Sequence, residues 1–76
     1  MTVEKLREIV KNHSYLDYDW KDGDGKLSID VQTANVMVMC YDALTKEATK
    51  TKFETMIAKS KATFINTAEF CWSRVK

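Results

Sequence analysis

The stretch from Tyr15 to Val31, YLDYDWKDGDGKLSIDV, is where side-chain alternation, turn chemistry and charge all point to one local structure. Counted in steps of two, Leu16, Tyr18 and Trp20 share one face and Tyr15, Asp17 and Asp19 the other. Beyond the Asp-Gly-Asp-Gly segment, Leu27, Ile29 and Val31 alternate with Ser28 and Asp30. A period of two on both arms, with glycines between them, predicts an antiparallel β-hairpin that is apolar on one side and wet and acidic on the other.

The segments around it are read by what they can lay against that apolar side. Thr2 suits a helix cap, Glu4 sits in a first turn, and Val3, Leu6, Ile9 and Val10 recur at helical spacing, so residues 2–12 read as a short amphipathic helix. Asn12, His13 and Ser14 end it, Asn being tolerant of the left-handed conformation that closes helices. His13 has no second histidine or nucleophile beside it and reads as a solvated helix-end residue.

After Val31, Gln32 to Asn35 reads as a connection, and Val36 to Tyr41 is apolar on both faces. A helix with Ala34, Val38, Tyr41 and Leu44 on one stripe is one solution, and a buried strand is the other. The alternating valines and the turn-forming Asn35 favour a third strand, with Val36, Val38 and Cys40 on one side and Met37, Met39 and Tyr41 on the other. One set would join the core, and the other would need a second layer or lie exposed as an adaptable contact surface.

Thr51 and Glu54 form a capping-box pattern ahead of Phe53, Met56 and Ile57, which predicts a helix to about Ser60 that can begin as early as Lys46. Ala62 to Ile65 reads as extended. Asn66 with Glu69 makes another capping pattern, and the last helix would set Ala68, Cys71, Trp72 and Val75 together, tying the C-terminus to the core through Trp72. The fold class is therefore α+β: a small single domain over residues 1–76 with an N-terminal helix, a hairpin extended to a three-stranded sheet, and one or two C-terminal helices.

The turn carries the one motif-like string, Asp22-Gly23-Asp24-Gly25-Lys26-Leu27-Ser28, which resembles part of an EF-hand calcium loop. With Gly25 at the sixth position, Asp22 and Asp24 fall at the third and fifth, where oxygen ligands belong, and Leu27 at the apolar eighth. Trp20 and Val31 then hold the first and twelfth, where neither can coordinate calcium. A weaker echo at Ile65 to Phe70 would put Glu69 at a twelfth position, but lysines and alanine precede it. The resemblance implies a degenerate calcium module; the departures make the string a tight Asp/Gly turn, with no metal or cofactor expected.

A chain of 76 residues sits where a single core leaves about 3 to 5 kcal/mol of net stability. So small a margin favours a partner or self-association, a homodimer included. Cys40, Cys71 and His13 are too few for a zinc site, which needs about four such ligands. The expectation is a cytoplasmic protein with reduced thiols, one Cys40 to Cys71 disulfide being left open, no leader segment, and no run near the ~18 apolar residues of a membrane span. Charge is uneven: residues 1–44 hold five Lys/Arg against eight Asp/Glu, and residues 45–76 hold seven against three.

No nucleophile with a base, carboxylate pair in a cleft, or phosphate cradle is specified. The expectation is a non-enzymatic binding or regulatory protein that occupies a partner protein's surface, as small viral inhibitors of larger enzymes or nucleoprotein complexes do. The hairpin's acidic face, with Tyr15, Asp17, Asp19, Asp22, Asp24 and Asp30, would make the contact. The alternative is a nucleic-acid binder using Lys46, Lys50, Lys59, Lys61 and Arg74, with Phe64 or Trp72 stacking on bases. Helix, three strands and helix is also the element order of double-stranded RNA-binding domains. Lys52 and Lys59, however, point away from Lys46, Lys50 and Lys61 on an ideal helix, which favours a solvated basic face.

Overall fold

Thr2 is extended, and its hydroxyl accepts the Lys5 N–H at 3.2 Å, starting helix α1 (Val3–Asn12) where its spacing predicts. Val3, Leu6 and Ile9 are buried along one stripe, with Glu4 in the first turn and Lys11 in the last. His13, rather than Asn12, adopts the left-handed conformation at φ 49°, and the N–H groups of His13 and Ser14 close the helix on Val10 and Ile9. His13 is exposed. The computed structural model describes residues 1–74, so the expected placing of Val75 lies outside the described residues.

The hairpin forms from β1 (Leu16–Asp19) and β2 (Lys26–Ile29), antiparallel, with Leu16 opposite Ile29, Asp17 opposite Ser28, Tyr18 opposite Leu27 and Asp19 opposite Lys26. Leu16, Tyr18 and Leu27 are half-buried and Ile29 is fully so, while Asp17, Asp19 and Ser28 face water. Gly23 at φ 93° and Gly25 at φ 81° supply the left-handed turns of the tip, where a side chain would be strained.

The sheet stops at these two strands among the described residues, which corrects the expected third strand. Val31–Ala43 is helix α2. The reason lies at Asp30, a polar residue in step with the alternation of β2. It is the N-cap instead, extended, with its carboxylate accepting the Thr33 N–H at 2.8 Å. Val31 accordingly leaves the hairpin's apolar face for the first turn of α2. In the helix Met37 is wholly buried and Met39 is 57% exposed, whereas a strand would have put both on one face.

Helix α3 (Glu47–Lys59) begins at Lys46, the earlier of the two expected starts, so Thr51 and Glu54 lie inside it and do not cap it. Helix α4 (Lys61–Ser73) occupies the segment expected to be extended, and Asn66 and Glu69 lie in its interior. Its start is set by Ser60, which closes α3 and caps α4 at once. The Ser60 N–H donates to Thr63 Oγ1 at 3.1 Å, and the Thr63 N–H donates to Ser60 Oγ at 3.2 Å.

The core draws on every helix: Leu6, Ile9, Ile29, Met37, Ile57 and Phe64 are at most 3% exposed. Helix α1 packs on α2, α2 on α4, and α3 on α4. A bidentate pair from Arg7 to Asp42, at 2.6 and 3.1 Å, joins α1 to the end of α2. Trp72, expected to anchor the C-terminus, is 44% exposed; Phe64 and Cys71 do that work from the buried side of α4. No described helix is long and apolar enough to cross a membrane.

Candidate functional site

The hairpin's two sides have different fates. On the inner side Tyr18 and Trp20 meet edge to face at 4.7 Å, and Trp20 lies 5.2 Å from Phe64 of α4. The Trp20 indole donates to the Ile57 carbonyl at 2.8 Å, pairing one of the end carbonyls that α3 cannot satisfy itself. At the tip, Asp22 Oδ2 accepts the Lys61 N–H at 2.9 Å and so caps the start of α4, while Asp22 Oδ1 accepts the Asp24 N–H at 3.1 Å. Lys61 Nζ returns to the carbonyls of Asp24 at 3.2 Å and Lys26 at 3.3 Å. The Asp-Gly string that resembles a calcium loop thus lies between two strands as a clasp on the α3–α4 corner. Both Asp22 oxygens are taken by backbone donors.

Of the acidic residues proposed from sequence, Asp22 holds this clasp and Asp30 caps α2. Asp24 is exposed beside the clasp and lends it its carbonyl. Tyr15, Asp17 and Asp19 make up the outer side. Tyr15 is 67% exposed, the most open of the large apolar side chains among the described residues. Asp19 accepts the Lys21 N–H at 2.7 Å, which fixes its carboxylate at the strand end. The only side-chain ion pair among the described residues is Arg7 with Asp42, so neither Asp17 nor Asp19 is charge-paired within the described chain. Beside Tyr15 a cleft of about 200 Å³ opens between α1 and β1, floored by Ile9 and Leu16 and rimmed by Lys5, Glu8, Asn12 and Ser14. Lys5 also sits 5.2 Å over the Tyr18 ring. The cleft was not legible before the fold, because Lys5 to Asn12 and Ser14 to Leu16 form its two sides only through the turn at His13, and no motif marks them.

The basic residues of the alternative reading do not converge. Lys46 precedes α3 and Lys59 ends it, about 20 Å apart along a helix of that length. Lys50 lies 5.2 Å over the Tyr41 ring, Lys61 is engaged by the hairpin, and Arg74 at the end of α4 lies 5.4 Å over Phe70. Phe64 is 1% exposed and cannot stack on a base; Phe70, which sequence reasoning passed over, is 52% exposed. Among the described residues no group of three or more His, Cys, Asp or Glu is placed to hold a metal ion.

Three carboxylates are held below the ordinary value of 3.8: Asp22 by the N–H groups of Lys61 and Asp24, Asp30 by the Thr33 N–H and hydroxyl, and Asp42 by hydrogen bonds from Arg7. A lowered folded pKa contributes stability that is present above 3.8 and lost as pH falls through the folded values. The urea midpoint should therefore be flat near neutrality and drop below pH 3.8. Asn also caps helices well, so Asp30→Asn should keep the neutral midpoint and flatten the acid limb, whereas Asp30→Ala should lose about 0.5 to 2 kcal/mol near neutral pH. An Asp30→Asn acid limb as steep as the parent's would remove Asp30 from this account. Against family models, curated proteins and solved structures alike, the chain finds no match.

Proposed function

We propose that this is a small non-enzymatic binding protein that occupies a basic surface of a larger protein, with Tyr15, Asp17 and Asp19 as the contact. The observation that carries the reading is the division of labour on the hairpin. Tyr18, Trp20 and Asp22 fasten it to the helices, and an exposed tyrosine with two charge-unpaired carboxylates is left on a supported ribbon. Tyrosine brings large contact area at small entropic cost, and unpaired carboxylates steer association toward lysine- and arginine-rich surfaces. Were that surface a nucleic-acid channel in an enzyme or nucleoprotein complex, the carboxylates would compete with phosphates and the protein would act as an inhibitor.

The test is affinity purification from the native host with the parent chain and with Tyr15→Ser, Asp17→Asn and Asp19→Asn combined, after nuclease treatment. These residues are solvent-exposed, so circular dichroism should show the fold unchanged. The parent should retain a partner whose binding weakens as salt rises, and the triple variant should lose it by roughly tenfold or more. An unchanged partner set would remove the outer face as the contact. Retention that disappears with nuclease would favour the nucleic-acid reading.

A further inference from the structure

Helices α2 and α4 meet along a shallow apolar groove of about 170 Å³, lined by Val36, Met39, Cys40, Ala43, Cys71 and Arg74. The two cysteines come from different helices, which pack on each other, and both line this one groove. Their access differs: Cys71 is 1% exposed and Cys40 is half-buried on the groove wall. Both are free thiols in this structure.

We propose that Cys40 and Cys71 are a redox-responsive pair that closes to a disulfide between α2 and α4 by exchange with a low-molecular-weight disulfide such as oxidised glutathione. Cys40, the thiol that solvent reaches, begins the exchange: its thiolate attacks one glutathione sulfur, the glutathione disulfide breaks, and one glutathione thiolate leaves and takes a proton. Cys71 then gives its proton to solvent, and its thiolate attacks Cys40 Sγ, breaking the mixed disulfide and expelling the second glutathione. Two protein thiols are oxidised and one glutathione disulfide is reduced to two thiols, so no further oxidant is required. Burial, followed by the neighbouring Cys40, holds the Cys71 thiol well above its ordinary value, which keeps it protonated and leaves the first attack to Cys40; Arg74 opposes this by favouring the thiolate. The bond would close a loop holding all of α3, restricting the unfolded chain.

The experiment incubates the reduced full chain with excess oxidised glutathione in native buffer, followed by intact mass, peptide mapping and urea denaturation. The expected product is monomeric, lighter than the reduced chain by two hydrogen atoms, and yields a peptide joining Cys40 to Cys71. Its urea midpoint should be higher, and dithiothreitol should reverse the shift. Cys71→Ser should stop at a stable glutathione adduct on Cys40, and Cys40→Ser, altered only at the half-buried position, should leave Cys71 unmodified while folded. A parent chain that halts as the Cys40 adduct, reacts only in urea, or yields only disulfide-linked dimers would overturn the proposal. These outcomes come from the parent chain and hold even if Cys71→Ser does not fold.

Discussion

Replacing Phe64 with alanine is expected to leave most of the chain unfolded in plain buffer at room temperature. Phe64 is 1% exposed on α4, and its ring lies 5.2 Å from Trp20, so it joins the hairpin to the last helix. Truncating a buried aromatic costs about 3 to 5 kcal/mol through lost transfer energy and the cavity left behind. A domain of this size has a total margin of about 3 to 5 kcal/mol, so the two quantities are of the same order. The readout is far-UV circular dichroism with a urea titration, together with Trp fluorescence, because Trp20 loses a wall of its site. A variant that kept a full cooperative transition with a midpoint near the parent's would show that the hairpin does not depend on this contact.

The second large effect is a contrast between neighbours. Met37→Ala should cost about 2 to 5 kcal/mol, the range for emptying a fully buried methionine site, and Met39→Ala should change stability by no more than about 0.5 kcal/mol. The structure puts Met37 at 0% and Met39 at 57% exposure on the same helix. In a strand the two side chains would share a face and would be expected to cost alike. Matched urea midpoints for the two variants would therefore reinstate the strand and discard α2; a wide gap between them is the signature of the helix.

That contrast also shows what could be read before the structure. The hairpin was legible because its signal is local: a period of two, with glycines at the positions that take positive φ. Helix α1 was legible because it buries one clean stripe. Helix α2 was ambiguous, because it packs against α1 and also against α4, which makes Val36 to Tyr41 apolar all round and lets a buried strand fit as well as the helical stripe through Ala34, Val38, Tyr41 and Leu44. The deciding residue was Asp30, and an aspartate fits a helix cap and the wet face of a strand equally well in sequence. The start of α4 was missed for a related reason: Ser60 with Thr63 is a capping pair, but Thr51 with Glu54 and Asn66 with Glu69 offered the same signal in places where the chain was already helical.

For the candidate site, the alternation that exposes Tyr15, Asp17 and Asp19 was present in the sequence and survives in the structure. What separated these from Asp22 and Asp30 was not available there. Asp22 meets the Lys61 N–H, 39 positions away, and only the packing of the hairpin on the α3–α4 corner brings the two together. Lys61 changed its standing for the same reason, from a candidate phosphate contact to the residue that grips the turn.

The seating of the hairpin tip has a consequence for the order in which the molecule can assemble. Trp20 reaches a carbonyl 37 positions further along, and Asp22 an amide 39 positions further along. During synthesis the ribbon emerges well before the corner that receives it. Until Ile57 and Lys61 are free of the ribosome, the indole, the turn carboxylate and the apolar side of both strands have only α1 and α2 for company. The joint that fastens the ribbon to the α3–α4 corner thus cannot form until most of the second half of the chain has been made.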